Sequence, residues 1–84
     1  MLTKKDRRAR TKGVETLRRT RMANLKALAE HLGSPAELAR RMGVTASYIN
    51  QLCGPNPVRG ITEDTARDIE QKLGIVSGWL DVVH

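Results

Sequence analysis

The chain has 84 residues, with 15 Lys/Arg against 9 Asp/Glu and a formal net charge of +6. These 84 residues suit one domain with a modest core, and the single cysteine, Cys53, excludes an internal disulfide. No Cys/His cluster offers a structural metal site, and no run approaches the ~18 apolar residues of a membrane span, so stability is expected from helix packing, with or without a partner subunit.

Residues 1–26 carry ten Lys/Arg against Asp6 and Glu15, whereas residues 27–84 carry five against seven acids. Residues 1–15 therefore read as a basic N-terminal arm, flexible up to Gly13, ahead of a folded domain over 16–84. A charge run of this kind is either a solvated tail or an arm for polyphosphates. A membrane surface suits it less, because Leu2, Ala9 and Val14 are its only apolar anchors. It also lacks the apolar core of a signal peptide, which makes a cytoplasmic setting the expectation.

From about Thr16 the apolar spacing becomes helical. Leu25, Leu28, Ala29 and Leu32 form one stripe, Leu17 extends it backward, and Gly33 ends it. Ser34, Pro35 and Glu37 make a complete start signal, with a cap, a first-turn proline and an S-x-x-E box. The second helix presents Leu38, Ala39 and Met42 inward and stops at Gly43. Thr45 caps a third helix with Ile49 and Leu52 inside. Gly54-Pro55-Asn56-Pro57 then breaks all regular structure. A fourth helix begins at Thr62, with Glu63 and Asp64 placed favourably for its dipole. Ala66, Ile69 and Leu73 form its stripe, and Gly74 closes it. Ser77 opens a short last segment in which Val76, Trp79, Leu80 and Val83 are expected to close the core. Glu63, Asp64, Asp68 and Glu70 read as a solvated acidic face, and nothing in the chain alternates like a strand.

The corner around Gly43 makes specific demands. A turn glycine takes positive φ, which costs a residue with a Cβ roughly 1–2 kcal/mol. Two crossing helices need a small residue where they touch, and Ala39 stands four positions before the glycine. Leu38, Met42, Val44, Ile49 and Leu52 supply the apolar surround. The pattern reads as a helix-turn-helix over about residues 35–54. At roughly 100° per residue, an inward Ile49 and Leu52 turn Ser47, Asn50, Gln51 and Gly54 outward, with Ala46 and Tyr48 at the flanks. That face carries no charge. Asn and Gln amides match the N6/N7 edge of adenine, Ser serves several bases, and Ala or Thr methyls can touch a thymine methyl.

The stretch SPAELARRMGVTASYINQLCG, continued through RGITEDTARDIEQKLGIVSGWLD, resembles the DNA-binding domain of lambda-repressor and Cro-like phage regulators over about residues 20–82. The resemblance implies an all-α, five-helix domain that binds near-palindromic operator DNA, usually as a homodimer, in a bacterial cytoplasm. Carried over by position, it implies base contacts from Ala46, Ser47, Asn50 and Gln51. It implies phosphate-side roles for Thr45, Tyr48, Arg59 and the amide end of the second helix. The leader resembles the basic arms of some of these repressors, which would add phosphate contacts from Lys4, Lys5, Arg7, Arg8, Arg10 and Lys12. Larger relatives join such a domain to a self-cleaving peptidase. This chain is then either a naturally short regulator or the N-terminal piece of something longer.

The expected function is therefore a transcriptional regulator acting by operator occlusion, with no catalysis, cofactor, metal or small-molecule ligand. Two alternatives are an antitoxin, whose main task is holding a partner protein, and a non-specific nucleic-acid or protein interaction module. Cys53 reads as a packing residue and His31 and His84 as surface residues. Trp79 reads as a core plug whose helix is also a possible dimer seam. Arg40 and Arg41 suit either a solvated face or phosphate.

Overall fold

The computed structural model describes residues 16–84 in full and the backbone of 4–15 as part of the first helix. Four α-helices are present: α1 (Lys4–His31), α2 (Pro35–Met42), α3 (Ala46–Cys53) and α4 (Glu63–Leu73). A 3₁₀ turn, Trp79–Asp81, follows. The side chains of the expected arm, residues 1–15, lie outside the described residues, while the backbone of α1 already begins at Lys4, ahead of Thr16 where the apolar spacing placed the helix start.

The periodicities translate into one core. Leu25, Ala29, Leu38, Ala39, Met42, Ile49, Leu52, Cys53, Ala66, Ile69 and Leu80 are buried together, and Met22, Leu28, Leu32, Val44, Leu73 and Trp79 pack against them. Ile61, which belongs to no helix, is buried with this set. A loop isoleucine carries no periodic signal, so the spacing of apolar residues passes over it. The helix starts follow the capping chemistry. The Ser34 hydroxyl accepts from Glu37 N–H (3.2 Å), Thr45 from Tyr48 N–H (3.1 Å) and Thr62 from Thr65 N–H (3.3 Å). The Glu37 carboxylate pairs with Arg40 and Arg41 instead of the Ser34 N–H, so only half of the expected capping box forms.

The C-terminal part corrects two expectations. The fifth helix is a single 3₁₀ turn, framed by Gly78 at φ 95° and by extended Val82, which leaves three residues for it. Val76 and Val83, expected in the core, are 71% and 79% exposed. The short turn reaches inward with Leu80 fully and Trp79 partly buried, and lets the flanking valines point out.

Polar groups hold this turn. Glu70 was expected on the solvated acidic face with Glu63, Asp64 and Asp68; those three are exposed, but Glu70 is 1% exposed. Its carboxylate accepts from the backbone N–H of Gly78 (2.9 Å) and Leu80 (2.8 Å) and pairs with Arg67. Arg21, whose charge counts with the basic leader in the sequence, is buried. It grips Asp81 through Nε (2.7 Å) and Nη2 (3.2 Å), and donates to the Ile61 carbonyl (3.0 Å). Asn24 Nδ2 donates to the Leu80 and Val82 carbonyls, each at 2.8 Å. Arg67 Nη2 joins Asp81 to the network at 2.9 Å. The resulting Arg21–Asp81–Arg67–Glu70 chain ties α1, α4 and the last turn together. Each buried charge has an opposite charge within ion-pair distance, the condition under which burial is tolerated.

Candidate nucleic-acid interface

α2 and α3 are joined by Gly43, Val44 and Thr45. Gly43 sits at φ 70°, ψ 30°, in the left-handed region, and its N–H reaches back to the carbonyls of Ala39 and Arg40. Val44 N–H donates to the Ala39 carbonyl at 3.0 Å, which closes the helix end by the usual reversal and sends the chain off in a new direction. Ala39 is 2% exposed, so the small residue does stand inside the junction. Thr45 then caps α3 immediately.

With Ile49, Leu52 and Cys53 of α3 buried, the opposite face is open. Ala46, Ser47 and Asn50 are exposed, and Gln51 and Tyr48 are half-buried. No hydrogen bond engages the Ser47 hydroxyl or the Asn50 amide, whereas the Tyr48 ring rests on the core. The Thr45 oxygen is occupied by its cap, leaving its hydroxyl hydrogen to donate outward.

Gln51 differs from Asn50. Its backbone carbonyl accepts from the N–H groups of Val58 and Arg59, both at 3.0 Å, and its side-chain Oε1 accepts from Arg59 Nε at 2.7 Å. The proline loop therefore folds back onto the end of α3 and delivers exposed Arg59 there. This pairing spans eight residues without periodicity, so it was not legible in the spacing. Gly54, at the end of α3, admits no side chain: a Cβ would stand 2.6 Å from the Asn50 carbonyl oxygen.

The surrounding charges are distributed unevenly. Glu37 is held down to about 2, chiefly by its hydrogen bond to Arg40 and further by Arg41, so these two arginines are partly neutralised where they stand. Arg18 and Arg19 on α1 line a cleft with Arg59 that the sequence does not single out, since its walls come from α1 and the loop after α3. Lys4, Lys5, Arg7, Arg8, Arg10 and Lys12 lie outside the described side chains.

Other candidates for chemistry fall away. Burial pushes the Cys53 thiol up against a weaker pull from Lys26, so it is a poor nucleophile at neutral pH. His31 is exposed, and His84 stacks on Trp79 with ring centroids 4.1 Å apart. Among the described residues no group of His, Cys, Asp and Glu is arranged to hold a metal ion, and no helix is long and apolar enough to cross a membrane. No protein-family model matches the chain, and neither the curated proteins nor the solved structures contain a significant match.

Proposed function

We propose that this protein is a sequence-specific regulator of transcription that inserts α3 into the major groove of duplex DNA. In this reading α2 and α3 are a helix-turn-helix, and the protein acts as a phage or prophage-type repressor by covering promoter DNA. The observation that carries the proposal is the outer face of α3. It is uncharged and exposed at Ala46, Ser47 and Asn50, and it is held out from the core by the Gly43 corner. A solvated helix face ordinarily carries Lys and Glu; here amide and hydroxyl groups stand in their place, and these match base edges such as the N6/N7 edge of adenine. Ala46, Ser47 and Asn50 are assigned to bases and Thr45, Tyr48 and Arg59 to the flanking backbone. Gln51 stands between the two sets. The excess of Lys/Arg over acid in the first 26 residues supplies the non-specific attraction that such a reader needs.

Selection of bound sequences from a random duplex pool tests the proposal. Enrichment of one near-palindromic site is expected, with half-sites about 10–10.5 base pairs apart if the protein binds as a two-fold dimer. A pool that remains random after repeated rounds would show that α3 reads no bases.

A further inference from the structure

Resting on the assignment of α3 to the major groove, we propose that Arg18, Arg19 and Arg59 form a clasp for one DNA backbone phosphate, with Gln51 as the residue that positions Arg59. The three arginines line a single cleft of about 260 Å³ whose remaining walls include Met22, Leu52 and Ile61. All three are exposed, and none forms an ion pair with a described residue. By contrast, the other arginines of the described region, Arg21, Arg40, Arg41 and Arg67, are each paired with a carboxylate. Arg18 reaches the loop itself: its Cδ and Nε lie 3.7 and 3.8 Å from where a Cβ on Gly60 would stand.

Three guanidinium groups lining one cleft without a described carboxylate make a patch of positive potential that draws an anion. Guanidinium forks match the paired oxygens of a phosphodiester. The position of the cleft selects the backbone as the source. Arg59, which lines it, is held by Gln51 at the edge of the exposed face of α3, so a duplex with α3 in its groove brings the strand bordering that groove alongside. Gln51 fixes the approach. Its Oε1 holds Arg59 Nε, and its backbone carbonyl holds the Val58 and Arg59 amides, so the guanidinium keeps its Nη donors for the anion. One lone pair of Oε1 is already engaged, which makes holding Arg59, more than reading adenine, the main task of Gln51.

The experiment measures binding of the full chain to its selected duplex and to random duplex over a series of salt concentrations. Arg18→Ala, Arg59→Ala and Gln51→Ala are compared, with thermal melts confirming that each folds. Arg18→Ala and Arg59→Ala are each expected to weaken both duplexes by the same factor and to reduce the salt slope by up to about 0.9, the value for one phosphate. Gln51→Ala should show the same sequence-independent loss, and adding it to Arg59→Ala should cause no further loss. Unchanged slopes in Arg18→Ala and Arg59→Ala, with the selected site still preferred, would overturn the clasp and leave the α3 reading intact. A loss in Gln51→Ala confined to one base position would overturn its positioning role. Wild-type protein that binds duplex without preference would defeat the α3 reading, while the slopes on random duplex would still decide the clasp.

Discussion

At Gly43 a left-handed backbone meets open space: a Cβ there would touch nothing within 4 Å. The cost of a side chain is therefore conformational and not steric. Gly43→Val is expected to lose at least roughly 1–2 kcal/mol, whereas Gly43→Asn should recover much of it, because asparagine visits this region more readily. Equal losses in denaturant titrations of the two variants would argue for a packing role instead. Gly54 is the opposite case, with ordinary φ but a backbone oxygen where a Cβ would go, so Gly54→Ala must displace the end of α3. On the reading face, Asn50 has the least encumbered amide. Asn50→Ala should cost ~1–3 kcal/mol and relax preference at one base position, as read by competition against single-base variants of the selected site.

The helices are short enough that their ends matter. α2 and α3 have eight residues each, and each begins with a hydroxyl that accepts an otherwise unpaired N–H. Thr45→Ala should destabilise the protein by about 1 kcal/mol through loss of that cap, measured by urea unfolding. The last turn depends on a carboxylate from another element. Glu70 receives two backbone N–H groups and lies against Arg67, so Glu70→Ala strands those donors and leaves Arg67 with Asp81 alone. A loss approaching the roughly 3–5 kcal/mol of a broken buried pair is expected, with Trp79 fluorescence reporting release of the turn. A melting curve like that of the parent would mean that Leu80 and the bonds from Arg21 and Asn24 hold the turn without Glu70.

For the molecule as a whole, the ionic network makes a statement about pH. Hydrogen bonds from Arg21, with a further one from Arg67, hold the Asp81 carboxyl below its ordinary 3.8, and Glu37 lies at about 2. Both folded values are depressed, so this stabilisation is fully present above the unfolded carboxylate range. It disappears as pH falls through the folded values. Urea titrations between pH 2 and 7 should show a plateau at the upper end and a decline below about pH 4, shallower in Asp81→Asn. The basic leader belongs to the same scale. Deleting residues 1–12 removes six Lys/Arg and one Asp, and should flatten the salt dependence of DNA binding while preserving the selected sequence.

The bounds of α2, α3 and α4 were determined by the sequence alone, because their causes are local. Hydroxyl caps sit just before α2, α3 and α4, glycines take positive φ after α2 and α4, and the apolar stripes bury Leu38, Ala39, Met42, Ile49 and Leu52. The outward placement of Ser47 and Asn50 followed from the same period. Tertiary structure alone decided which charges are buried. Arg21 and Glu70 look like surface residues in any local window, and they are buried because Asp81, sixty residues from Arg21, and the amides of a returning turn lie beside them. It also decided where the proline loop goes: Arg59 meets Gln51 and borders the cleft of Arg18 because the chain folds back there, a contact without any period along the sequence.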